Sequence, residues 1–420
     1  MENMNQAKST FTRRQFIKIS IALLGSRLLA VQRPFAEEKF VSKAAGADAE
    51  GTIFLPLVQN HNPILQVGPT KTYKVPSAAA LVAMDGDVIE IDAGDYIGDT
   101  ATWKNNNLTL RGVGGKAHLI ANGQSAGGKA IWVIQGDHTI LENIEFSGAT
   151  VPDKNGAGIR QEGSNLIVRY CYFHDNEEGI LAGDNQNSEI LIEYSEFGYN
   201  GFGTGYTHNL YINHIARFTM QYCYSHHAKV GHLVKSRAYE NHILYNRIMD
   251  EADGTSSYSI DLPNGGLSYI IGNQIQQGPA AKNSGIVAYA SEGATNPKQE
   301  LYLVNNTIVN DHSGSSDTFL SVQGSPVGFV TNNLFIGSGN PISGAISEDH
   351  NSHDLVGAIA NRGGYDYHLI AGSPAINTGR DAGSANGVTL APSWEYVHPT
   401  SRTARIITST IDQGAYEYYL

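Results

Sequence analysis

A chain of 420 residues with 46 glycines, 22 tyrosines and only 16% charged side chains suits many short strands joined by tight turns better than a set of helices. Its net charge of −12 excludes the broad basic surface that phosphate backbones require, so nucleic acid is not an expected partner. An acidic polymer can bind such a chain only through a local cationic cleft.

The first 36 residues read as an address rather than as part of the fold. "TRRQFIK" places Arg13 and Arg14 before Phe16, Ile17 and Lys18, and a short apolar run follows. This segment resembles the bacterial twin-arginine export signal, with removal expected after Ala36 and a periplasmic or secreted product. Arg27 interrupts the apolar run, which falls well short of the ~20 residues a membrane span needs. No cysteine lies near the cleavage point, so no membrane anchor is expected, and the product is expected to be a monomer. Residues 37–65 read as a leader segment.

Next, "PSAAALVAM" (76–84) reads as a short capping helix, and "GDVIEIDAGDY" (86–96) as a first coil of strands. From there a pattern recurs in which apolar and polar residues alternate, meet an Asn or Tyr, and resume. Its reference positions are Asn143, Tyr170, Tyr194, Tyr222, Asn246, Asn273, Asn306 and Asn333, spaced by 27, 24, 28, 24, 27, 33 and 27 residues. A period in the twenties without helical patterning predicts a β-solenoid whose coils stack ~4.8 Å apart. Cys171 and Cys223 each follow a reference position by one, with Ser195 between them. They are therefore two coils apart, a rise of ~10 Å, whereas a disulfide wants Cα atoms within ~7 Å. Two free, inward-packed thiols are expected. Residues 341–400 are loop-rich.

The entry segment and the tail segments "YDYHLIAGSPAINTGRD" and "IDQGAYEY" resemble the ends of right-handed parallel β-helix proteins, the pectate-lyase-like superfamily. Over roughly residues 66–420 the resemblance implies an all-β, right-handed parallel β-helix with a short N-terminal capping helix. Its body would span 66–340 and a loop-rich closing segment 341–420.

One strand of each coil precedes the reference position: "HNLYIN" (208–213), "GHLVKSR" (231–237) and "YSIDLPNG" (258–265). Subtracting the 24-residue coil places Lys235 over Tyr211, Arg237 over Asn213 and His232 over His208. Leu210, Ile212 and Val234 are apolar and should point inward. Alternation then turns Asn209, Tyr211, Asn213, Lys235 and Arg237 outward, with Ser259, Asp261 and Pro263 outward in the next coil. Tyr211, Lys235 and Asp261 thus form a column, while His208 and His232 take the inward parity. A solvated face is the plain alternative, because an exposed Lys–Asp pair contributes little. Convergence of Lys, Arg, Tyr, Asn and Asp on three rungs favours a catalytic groove.

A groove along stacked coils suits an extended polymer. In β-elimination on a uronic-acid polymer, the carboxylate beside C5 is neutralised, a base removes the C5 proton, and an acid protonates the departing oxygen. Arg237 is the candidate clamp, helped by Asn209 and Asn213. Lys235 is the candidate base and Tyr211 the candidate acid, with those two roles exchangeable. Asp261 completes the catalytic set; His208 and His232, at the start of their strands, read as satisfied turn or core histidines and are the further candidates for substrate binding.

"LVKSRAYENHILYNRI" (233–248) resembles the segment around the catalytic lysine of β-helix alginate lyases and chondroitinase B. Lys235–Ser236, Asn241 and Asn246 match the family pattern, which implies Lys235 as the base. Calcium-binding carboxylates five and seven residues before that lysine are replaced here by Val230 and Ala228. On the following coil, where the family has its acid arginine, this chain has Asp261. Arg237 is therefore expected to neutralise the substrate. No cofactor is assigned; calcium is the ion the resemblance brings with it, and its ligands are not identified in this chain. Three rivals stand beside the lyase. A glycoside hydrolase would need a carboxylate partner for Asp261 that the adjacent coils do not offer. A C5-epimerase shares the proton abstraction, and a non-catalytic polysaccharide-binding protein would use the same groove for affinity alone.

Overall fold

The computed structural model describes residues 64–419 apart from Ser315 and Val356. The expected export signal and nearly all of the expected leader segment lie outside these residues. Within them the chain is an all-β parallel β-helix. Two ladders lie within one 21-stranded sheet and a third forms a separate ten-stranded sheet, so that neighbours in each ladder come from successive coils. The first ladder runs from Ile64–Val67 to Ser347–Asp349, the second ends at Ser352–His353, and the third runs from Ala101–Trp103 to Asn340–Ser343.

Alternation drives the stacking. In Thr139–Glu142 and Leu166–Arg169 every second residue is buried, so no coil hides its apolar face except against its neighbours. Inward side chains repeat between coils and fall into register. Phe146, Phe173 and Phe197 stack with ring centroids 5.0 and 4.9 Å apart. At the start of the solenoid a helix spans Pro76–Ala80, shorter than the expected 76–84, and buries Ala79 in the core.

The corner between the first and second ladders requires a left-handed backbone. Asn143, Tyr170, Tyr194, Tyr222, Tyr245, Asn305 and Asn332 all take positive φ there, and Gly272 holds the same place. This corrects the expected alignment by one residue from Asn246 onward. Tyr245, not Asn246, continues the Tyr222 row, and the two rings stack 5.7 Å apart. Asn246, Asn273, Asn306 and Asn333 belong to the next position, in line with Cys171, Ser195 and Cys223. There the Asn273 and Asn306 oxygens each accept from the backbone and side-chain amides of the Asn in the preceding coil, at 2.9–3.0 Å from Asn246 to Asn273 and from Asn273 to Asn306. Asn suits both positions, for its tolerance of positive φ at one and for its buried amide at the other, so residue type alone conflates them. Ser195 Oγ accepts from the Cys171 amide, and Asn246 Oδ1 from the Cys223 amide. Both cysteines are buried and unpaired, as their two-coil separation requires.

After His353 the chain turns back along the flank of the solenoid. Gly414 donates to the Asn332 carbonyl, and Asn305 donates to the Asp412 carbonyl. Ser393 donates to the Tyr245 hydroxyl, and Arg402 both donates to the Tyr222 hydroxyl at 2.6 Å and lies 3.7 Å from the Trp394 ring. The tail therefore covers the tyrosine corner. No helix among the described residues is long and apolar enough to cross a membrane.

Candidate active site

Three short strands of the third ladder, Leu210–Ile212, Val234–Ser236 and Ile260–Leu262, carry the candidate site. Parallel register pairs Tyr211 with Lys235 and Lys235 with Asp261. Leu210, Ile212, Val234, Ile260 and Leu262 fill the core, and the residues between them face out. The expected column is therefore present.

Outward here does not mean solvated. Lys235 is 9% exposed and Asp261 2%. Lys235 Nζ lies 3.6 Å from Asp261 Oδ2 and 3.4 Å from Glu292 Oε1. Arg237 Nη2 donates to Glu292 Oε2 at 2.7 Å, its Nη1 to Asn264 Oδ1 at 2.5 Å, and its Nε to the Tyr211 hydroxyl at 3.0 Å. A phenol oxygen that accepts from a guanidinium keeps its own proton free to donate elsewhere. Ser291 Oγ donates to Asp261 Oδ1 at 3.1 Å. Burial raises the Asp261 carboxyl to about 6, against the opposing pull of Lys235 and Ser291. Burial also works against the Arg237 charge, but Glu292 and Tyr211 hold its pKa above the ordinary value.

The two histidines require a correction. Each strand proper is only three residues long, and the chain bends just before it, so alternation does not extend back to residues 208 and 232. His208 and His232 stand beside the column instead of pointing into the core. Their rings stack 4.6 Å apart, and His232 Nε2 lies 3.4 Å from Asp261 Oδ2. The His232 amide donates to His208 Nδ1, and the Tyr258 amide to His232 Nδ1, which places the remaining ring proton of each on Nε2. Burial pushes His232 down to about 3 and His208 well below its ordinary range, so both are neutral. Glu178, fully buried on the preceding coil, accepts from the His208 amide and is raised well above the carboxylate range by burial.

The same bend overturns the assignment of Asn209 to substrate. Asn209 is fully buried; its amide donates to Phe197 O, Ser225 Oγ and His226 O, and its oxygen accepts from Asn200. It is a structural amide, and Ser259, expected outside, is buried at the equivalent place. Asn213 is half-buried, and its side-chain oxygen accepts from the adjacent His214 amide.

Sequence reasoning missed Glu292, Asn264 and Ser291. Glu292 and Ser291 lie on the loop after the strand Gly285–Tyr289, and Asn296 of that loop donates to the Ala238 and Gly265 carbonyls, pinning it over the site. The signal was the 33-residue spacing between Asn273 and Asn306, the longest in the repeat. Extra residues in one coil must project from the solenoid, and these project onto the neighbouring rungs. Glu292, on the loop of the adjacent coil, also supplies beside Lys235 a carboxylate that the strand positions of that coil lack.

Calcium does not fit beside Lys235. The place of the family's two carboxylates holds the buried Ala228 and the hydrocarbon Val230. Asp261 and Glu292 already face Lys235, Arg237 and His232, and an ion there would meet two cations at contact distance.

No family model matches the chain, and a search of curated proteins finds no match. Among solved structures, the chain is similar to the crystal structure of pectate lyase Pel9A, with a TM-score of 0.55 over 83% of this chain and 92% of that one. The aligned residues are 16% identical, so the likeness is one of fold: a pectate-lyase-like parallel β-helix.

Proposed function

We propose that the chain is an exported polysaccharide lyase that cleaves an acidic, uronic-acid-containing polymer by β-elimination. One observation carries this reading: Lys235 is held between two carboxylates, beside a tyrosine tied to Arg237, on consecutive coils of the solenoid. The fold shared with a pectate lyase supports it at the level of scaffold.

In the free protein Glu292 bridges Arg237 and Lys235, the place a substrate carboxylate would take. Exchange of Glu292 for the uronate neutralises the carboxylate through Arg237, held in orientation by Asn264. Asp261 is placed to accept a proton from Lys235, which then removes the C5 proton as a free amine. The C5–H electrons form the C4–C5 double bond, the C4–O bond breaks, and Tyr211 protonates the leaving oxygen. His232, neutral at Asp261, holds that carboxylate in place.

The pairing of Asp261 with Glu292 around Lys235 also favours a second reading, glycoside hydrolysis by two carboxylates. Incubation with a panel of uronate polymers separates the two. A rise in ultraviolet absorbance from an unsaturated sugar end supports elimination, and new reducing ends without it support hydrolysis. No product from any polymer would overturn both and leave a binding role or epimerisation, the latter read by exchange of the C5 proton with deuterated solvent.

A further inference from the structure

We propose that His118, Glu145 and His174 form a binding site for a divalent transition metal of the zinc type, on a face of the solenoid separate from Lys235. The three residues lie on consecutive strands of the second ladder. Register pairs His118 with Glu145 and Ser147 with His174, so His174 stands one coil on and two residues along. Leu119, Phe146 and Phe173 between them are fully buried in the core, which turns all three polar side chains to the same outer face.

Both imidazoles aim Nε2 at one carboxylate oxygen. His174 Nε2 lies 3.0 Å and His118 Nε2 3.6 Å from Glu145 Oε1, and the three atoms all fall within 4.8 Å of one another. Ligands at ~2.1 Å from a tetrahedral ion sit ~3.4 Å apart, so the triangle already has nearly the dimensions of a coordination site. The opposite ring nitrogens are backed by further carboxylates: His174 Nδ1 is 2.9 Å from Asp175 Oδ2, and His118 Nδ1 is 3.3 Å from Asp95 Oδ1. This carboxylate–histidine arrangement orients metal-binding imidazoles and raises their basicity. Ser147 Oγ lies 2.7 Å from His118 Nε2 and is the nearest further oxygen. Tyr172 stacks on the His174 ring at 4.4 Å and restricts its rotation. All three ligands keep about a fifth of their side-chain surface exposed, which leaves access for an ion and for water as a fourth ligand. Two imidazoles and one carboxylate favour zinc, cobalt or nickel over calcium, which takes oxygen ligands. An ion here would join three successive coils.

The test uses the full chain freed of metal with a chelator and titrated with zinc chloride by calorimetry. One saturable equivalent per chain is expected, with a rise in melting temperature because the ion binds the folded chain. Cobalt should give a visible d–d spectrum without thiolate charge-transfer bands, excluding Cys171 and Cys223 as ligands. His118→Ala and His174→Ala should each weaken binding by about tenfold or more. Glu145→Gln serves if either histidine variant fails to fold. A His226→Ala/His227→Ala variant should bind as the parent does, although those two rings also lie in contact. Absence of saturable binding, or binding that survives loss of His118 and His174 together, would overturn the proposal and leave the cluster as an ion-pair network.

Discussion

Lys235 is nearly buried and faces two carboxylates, so its removal affects stability as well as chemistry. Lys235→Ala should lower kcat by about 10²–10⁴-fold. It should also cost on the order of 1–3 kcal/mol, because Asp261 loses its cation while remaining buried. Tyr211→Phe removes only the hydroxyl of a half-buried ring; it should lower kcat comparably while melting close to the parent. Product absorbance and thermal melts on the same preparations check both. Glu292 gives a test of a different kind. If it occupies the place of the substrate carboxylate, Glu292→Gln should lower KM with little loss of kcat; a large fall in kcat at unchanged KM would assign Glu292 to the chemistry and favour hydrolysis. Asp261, raised to about 6, should impose an acid limb near that pH on kcat/KM, since it must be ionised to take the proton from Lys235. For stability the sign is the reverse. A carboxyl raised in the fold from the ordinary 3.8 contributes stability below about pH 4 that is lost as pH rises through about 6. Asp261→Asn should therefore compare worse with the parent at pH 4 than at pH 7 in denaturant melts.

Single elements of this solenoid are held by rows that cross coils rather than by bonds within a coil. Asn273 accepts two bonds from Asn246 and donates to the Ile243 carbonyl and to Asn306 Oδ1, all in the buried interior. Asn273→Ala orphans several of these groups at once and should cost about 2–4 kcal/mol in urea unfolding. Cys223→Ser should be far milder. Ser195 already makes the equivalent contacts at the same position one coil earlier, accepting from Cys171 and donating to the Glu193 carbonyl. The site strands follow another rule: only three residues long, they let parity govern Tyr211, Lys235 and Asp261 while the bend before them sets His208, His232 and Asn209. Parity arguments hold as far as the ladder does.

Over the whole molecule, the returning tail decides whether the solenoid has a wet or a dry flank. Tyr222, Tyr245, Tyr269 and Leu267 are buried with Ala382 and Leu390 of the tail, and Met249, Val309 and Leu334 with Tyr367, Ala375 and Tyr416. A chain ending at His353 would expose both apolar clusters, so it should aggregate or unfold non-cooperatively, read by solubility and far-ultraviolet dichroism. The tail segments quoted from the sequence announced that the chain was ending its fold; that they cover the corner follows only from contacts with residues more than a hundred positions earlier, such as Asn305 with Asp412.

By itself the sequence determined the solenoid, the free cysteines and the column of Tyr211, Lys235 and Asp261. All of these follow from periodicity, and periodicity is a local property that adds up along the chain. Tertiary structure decided the rest. The exchange of roles between Asn209 and the two histidines depends on where a strand bends. The arrival of Glu292 beside Lys235 depends on where an inserted loop falls after one more coil, and the meeting of His118, Glu145 and His174 depends on coil lengths bringing three strands into line. Each is a relation between distant residues, which no periodic pattern encodes and stacking alone brings about.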